Sequence, residues 1–150
     1  MKPDKCETFP HHKWFGLALQ AMVILSDKPC AYPSACIASC IQSEASLVRR
    51  VLAKLVKEGL VETREGRDGG YQLGMPAERI TLADVYCALR VGEPLCNAMA
   101  DTTGSNGFGT GMKAVFENIT EELEASALAV LKRTTIADLA ERVGQTGQPG

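Results

Sequence analysis

Residues 44–58, "EASLVRRVLAKLVKE", constrain the chain more than any other stretch. At 100° per residue, Leu47, Val48, Val51, Leu52, Leu55 and Val56 fall on one face. Ser43, Ser46, Arg49, Arg50, Lys54 and Lys57 fall on the other. A helix so divided must lay its apolar side on a body and leave its polar side free. Gly59 stands where a helix C-terminal glycine belongs. The segment that follows, "LVETREGRDGGYQL", reads as strands over 61–64 and 71–73 joined by a glycine-rich tip.

What precedes this helix gives it a context. "WFGLALQAMVILS", 14–26, is apolar nearly all round, as a helix buried in a small core must be. "DKPCAYP" ends it, because two prolines do not fit inside a helix. Ser34 is placed to cap a short helix over 34–40, and "IQS" turns from it into the amphipathic one. Short helix, tight turn, amphipathic helix and hairpin make a winged helix-turn-helix. In that arrangement the second helix enters the major groove of DNA by its N-terminus. Ser43, Ser46, Arg49 and Arg50 lead, with Lys54 further back; arginine can grip guanine through two hydrogen bonds, and serine can bond phosphate or base. A wing has to carry cations to the flanking minor groove on a tip that bends freely. Arg64 and Arg67 supply the charge and the glycines supply the bend.

Downstream, Thr81 and Asp84 have the spacing of a capping pair at the start of a further helix. "DTTGSNGFGTG", 101–111, holds four glycines and is expected to be a mobile loop. A helix of about 30 Å is expected over 112–132, from a rise of about 1.5 Å per residue. Met112, Phe116, Ile119, Leu123 and Val130 recur along it at spacings of four and three, interrupted only at Ser126, a seam suited to pairing with a second copy. Thr135 and Asp138 begin a last short helix, and "GQTGQPG" reads as a disordered tail. The expected division is a DNA-binding domain over 1–83, a connecting helix and glycine-rich sensor loop over 84–111, a dimerisation helix and terminal helix over 112–143, and the tail over 144–150. The fold class is mainly α.

Charge adds little. Residues 1–73 carry ten Lys/Arg against eight Asp/Glu, whereas 74–150 carry six against ten. No apolar run approaches a membrane span and no secretory leader is visible, so a cytoplasmic protein without membrane contact is expected. The six cysteines are then reduced thiols. Cys36 and Cys40, four apart on the first helix, read as packing residues. Alternatively, with His11 and His12, they could complete a zinc site. Phosphate-loop, nucleophile-elbow and metalloprotease motifs are absent, so no enzyme is expected.

"IASCIQSEASLVRRVLAKLVKEGLVETREGRDGGYQL" followed by "ITLADVYCAL" resembles the Rrf2 family of bacterial transcriptional regulators over residues 14–140. The resemblance implies a homodimer paired through the long helix, its two heads on a palindromic operator in double-stranded DNA. Two departures stand out. Family members commonly carry an arginine before the first wing-tip glycine, where this chain has Glu65, so its role either moves to Arg64 or Arg67 or is weakened. Cluster-binding members place three cysteines around the loop before the dimer helix, where this chain offers Cys96 alone. A [2Fe–2S] centre needs four protein ligands. No iron–sulphur cofactor is therefore expected, and Cys96 becomes the candidate redox-active thiol. The expected function is a repressor that responds to a small-molecule effector or to thiol oxidation. The alternatives are a winged-helix module that docks on protein and an iron–sulphur-dependent sensor.

Overall fold

The computed structural model describes residues 11–146. Its order is α1 (His11–Ser26), α2 (Ser34–Ile41), α3 (Ala45–Lys57), β1 (Val61–Arg64), β2 (Gly70–Leu73), a short 3₁₀ turn (Ala77–Arg79), α4 (Leu82–Ala88), α5 (Glu93–Ala100), α6 (Gly107–Leu131) and α7 (Ile136–Thr146). The fold is mainly helical with one two-stranded hairpin, a winged helix-turn-helix followed by a long helix.

One apolar cluster holds the head together. Trp14, Leu17, Ala18, Met22 and Leu25 of α1 pack against Ile37 of α2 and against Val48, Val51, Leu52 and Leu55 of α3. Burial of one such side chain contributes on the order of 1.5–3 kcal/mol, which is why α3 has only one stable way to roll onto the body. Val85 and Ala88 of α4 and Leu89 just after it join the same cluster, and Ile136, fully buried at the start of α7, returns to it. Ile136 is anchored by its amide, which donates to the Ile80 carbonyl at 2.8 Å.

Both expected capping pairs form. The Thr81 hydroxyl accepts from the Asp84 amide at 3.2 Å, and the Asp84 carboxylate accepts from the Thr81 amide at 2.9 Å. Thr135 and Asp138 repeat the exchange, each at 3.0 Å. Ser34 is not a cap: it lies inside α2, with Pro33 at the cap position. Gly59 has φ +82°, the left-handed conformation that lets the chain leave α3 for β1.

Three expectations about the C-terminal half are corrected. The glycine-rich segment is not a loop throughout, because α6 begins at Gly107. The Asn106 side chain accepts from the Gly109 amide at 2.8 Å and caps it. Gly109 is buried directly against the Gly104 backbone, where any Cβ would collide, so this glycine serves close packing rather than flexibility. The segment around Cys96 is not a loop edge but α5, with Pro94 in its first turn. Finally, α7 runs on to Thr146, so 144–146 are helical; 147–150 lie outside the described residues.

Candidate nucleic-acid interface

The interface is built on the α2–α3 turn. Gln42 ends α2 in the left-handed conformation, φ +63°, and its amide bonds back to Ser39 O at 3.2 Å. The Ser43 amide does the same to Ala38 O at 3.0 Å. Ser43 is thus half-buried in the turn, not on the helix face where the sequence pattern placed it. From Ala45 onward the pattern holds. Val48, Val51, Leu52 and Leu55 are buried; Ser46, Arg49, Arg50 and Lys57 are exposed; Lys54 is half-buried along its stem.

The wing follows α3 directly in the chain. β1 and β2 pair antiparallel with Val61 opposite Leu73 and Arg64 opposite Gly70. The tip closes through the Gly69 amide to Gly66 O at 3.1 Å, with Gly66 at φ +101°. Arg64 and Arg67 are both exposed and line one open cleft with Cys30, Glu65 and Asp68. Among the described residues, none of Arg49, Arg50, Arg64 and Arg67 is held in an ion pair. Unpaired guanidinium groups can meet phosphates or base edges without first breaking an internal bond.

A contact that sequence reasoning missed fixes the wing. Tyr32, just before α2, exchanges backbone hydrogen bonds with Tyr71 of β2, both at 2.8 Å. Gly70, at φ +143°, lies so close to the Tyr32 carbonyl that a side chain there would collide with it. The tip-side end of β2 is therefore tied to the start of the helix-turn-helix, and Lys28 sits 4.6 Å from the Tyr32 ring centroid. Residues 32 and 71 carry no local signal of this pairing, since the bridge is made only once α2 and α3 have folded back.

Electrostatics are nearly balanced. Over residues 44–69 six cations (Arg49, Arg50, Lys54, Lys57, Arg64, Arg67) stand against five carboxylates (Glu44, Glu58, Glu62, Glu65, Asp68). One of the latter, Glu62, accepts from the Gln72 side chain across the hairpin at 3.3 Å. Bulk attraction to a polyanion is therefore small, and any affinity has to come from particular arginines in particular places.

Comparison with known proteins fits this geometry. A family model described as Rrf2, iron-dependent transcriptional regulator, matches residues 12–142. The chain belongs to the Rrf2 family. Among curated relatives, a putative HTH-type transcriptional regulator of Haemophilus influenzae is 28% identical over 65% of this chain and 62% of its own length. The HTH-type transcriptional regulator IscR of Cereibacter sphaeroides is 32% identical over 61% of this chain and 59% of its own. The chain thus spans about three fifths of the length of these relatives. Two solved structures share this fold: T. potens IscR, 21% identical with TM-score 0.68 over 100% of this chain and 93% of that one, and Staphylococcus aureus CymR, 23% identical with TM-score 0.60 over 86% and 96%.

The family description invokes iron, and the described cysteines are not gathered into one ligand set. Cys96 is half-buried on α5 and accepts a hydrogen bond from the Thr120 hydroxyl of α6 at 3.4 Å. Among the described residues no three His, Cys, Asp or Glu side chains converge on one point. Cys36 and Cys40 are exposed on α2, so neither is the packing residue expected of it. His12 is exposed; the side chain of His11 lies outside the described residues.

The long helix divides the five residues of its expected seam. Met112 and Phe116 are half-buried, in line with Thr120 and Glu124, which reach α5 and α4 of the same chain. Ile119, Leu123 and Val130 are exposed, together with Val115 and with Phe108, which is 77% exposed. No helix among the described residues is long and apolar enough to cross a membrane.

Proposed function

We propose that this chain is a sequence-specific DNA-binding transcriptional regulator, a cytoplasmic repressor that acts as a homodimer on a palindromic operator. The observation that carries it is a set of four exposed arginines outside any ion pair, Arg49 and Arg50 on α3 and Arg64 and Arg67 on the wing that follows it, the wing pinned by the Tyr32–Tyr71 bridge. α3 would lie in the major groove with Ser46, Arg49 and Arg50 toward base edges and Lys54 toward phosphate. Ser43, in the turn, would reach a phosphate at the groove edge. Arg64 and Arg67 would enter the flanking minor groove in place of the arginine that Glu65 replaces.

The dimer reading rests on Ile119, Leu123 and Val130, with Val115 and Phe108 extending the stripe; large apolar side chains exposed in a row along one helix fit a second copy. Met112 and Phe116 would support that helix from its own chain rather than line the seam. The effector would act at α5, where Cys96 meets Thr120. A small molecule or oxidation there would shift α5 against α6 and so the two heads relative to each other.

Selection of bound sequences from a random duplex pool tests this reading. A palindromic consensus with half-sites about one helical turn apart supports it, and no enrichment overturns it. The near balance of charge favours one second reading, a winged helix that docks on protein, under which no duplex is enriched.

A further inference from the structure

α2 turns two thiols outward, one helical turn apart. Cys36 and Cys40 are both exposed, neither thiol has a hydrogen-bond partner among the described residues, and the other exposed positions within α2 are the small Ala35 and Ser39. Side chains four apart on a helix have Cβ atoms about 5–6 Å apart. A direct disulfide needs about 3.8 Å, so the pair cannot close on itself without unwinding α2. The same spacing suits a single bridging atom with two bonds to sulfur of about 2.3 Å, the length of a metal–thiolate bond.

A second feature adjoins the pair. Cys40 forms part of the wall of a groove of about 400 Å³ between α1, the end of α2 and α7, lined otherwise by Val23, Ile24, Ile41, Leu139 and Val143 among others. This lining is mostly apolar. Whatever bridges the thiols can therefore bury an apolar substituent beside Cys40.

We propose that Cys36 and Cys40 form a two-thiol capture site on the helix-turn-helix itself for a trivalent organoarsenical. Arsenic(III) with one organic group has two valences left for the two sulfurs and directs its third bond aside, into the groove. The reaction is a condensation. R–As=O and two Cys–SH give R–As(S–Cys)₂ and one water; two As–S bonds form, the oxide oxygen leaves with both thiol protons, and no electron is transferred. A linear two-coordinate ion such as mercury(II) would use the thiols and leave the groove empty. The site lies on the head, apart from Cys96 on α5, and does not depend on the DNA-binding reading.

Phenylarsine oxide added to the reduced full-length protein tests the site, with intact mass and retention against excess glutathione as readouts. The wild type and Cys96→Ser are expected to retain one phenylarsenic group. Cys36→Ser and Cys40→Ser are expected to lose it at least tenfold more readily; both positions are exposed, so both variants are expected to fold, with circular dichroism as the check. Equal retention by Cys36→Ser or Cys40→Ser, or no retention by the wild type, overturns the proposal. Val143→Asn, also on the surface, is expected to speed loss of the phenyl compound at least threefold while leaving methylarsine oxide unchanged. Equal effects on the two compounds overturn the groove's part in it.

Discussion

Tyr86 on α4 donates its hydroxyl to the Oε1 of Glu124 on α6 at 3.0 Å, a contact between residues 38 apart in sequence. Gly92, where the chain turns into α5, lies against both groups, leaving no room for a Cβ. The Phe15 ring packs edge-on to Tyr86 from α1, with centroids 5.7 Å apart. The head and the long helix are thus joined by a polar bond under the first residues of α5. Partial burial, then the hydrogen bond to Glu124 and the carboxylate's charge, push the Tyr86 hydroxyl up to about 12 from its usual 10.0.

That shift has a sign. Between pH 10 and 12 the folded chain holds a proton that the unfolded chain has lost, so the stability tied to Tyr86 is complete below pH 10 and declines as pH rises through about 12. Absorption at 295 nm should show one tyrosine ionising near the top of this range. Glu124→Gln should bring it down, and Tyr86→Phe should remove it at a cost of about 1 kcal/mol in chemical denaturation. An unchanged late titration in Glu124→Gln would show that the bond is not made in solution.

Gly70 should tolerate no side chain. Gly70→Ala places a methyl group in the Tyr32 carbonyl, so it should release the wing from α2 and raise amide exchange at Tyr71 and Tyr32 before the core is affected. Gly59→Ala has open space around it but keeps φ +82°, and it should cost about 1–2 kcal/mol from conformation alone. Equal exchange at Tyr71 in wild type and Gly70→Ala would contradict the bridge.

Leu123 is 51% exposed in the single chain, so Leu123→Glu should leave the thermal stability of the fold little changed. If α6 is the seam of a dimer, the same substitution should convert the particle from two chains to one in sedimentation equilibrium, because a carboxylate would be buried opposite its own copy. Phe116→Ala, on the half-buried side, should instead lower stability, on the order of 1–3 kcal/mol for a side chain only partly enclosed.

The two arginine pairs should separate by salt. Replacing Arg67 with alanine should weaken duplex binding, flatten the slope of log affinity against log salt, and relax any preference for a narrow minor groove flanking each half-site. Arg49→Ala or Arg50→Ala should cost about 1–3 kcal/mol on the selected site and relax the preference at one position in each half-site.

The head was legible in the sequence because its signals are local. The face of α3, the glycine that ends it, the wing and both Thr–Asp capping pairs depend on residues a few positions apart. The errors fall where distant packing decides. Glycine density argues for a loop, yet Gly109 is required by the approach of Gly104, and Asn106 supplies the cap that starts α6. Pro94 in the first turn was a legible sign of α5 that the nearby glycines obscured. Met112 and Phe116 share a heptad pattern with Ile119 and Leu123, but the pattern does not say which apolar side chains face the same chain and which face outward. Tyr32–Tyr71 and Tyr86–Glu124 left no trace in spacing at all.

The most direct test is the affinity of the purified protein for its selected duplex, measured by fluorescence anisotropy across a salt series, beside a triple charge reversal at Arg49, Arg50 and Arg67. Wild-type affinity should fall steeply as salt rises, with a slope of about −0.9 for each phosphate contacted, and the triple variant should lose measurable binding while remaining folded. Wild-type protein with no duplex affinity even at low salt, or a triple variant that binds as the wild type does, would contradict the assignment of α3 and the wing as the DNA-reading surface.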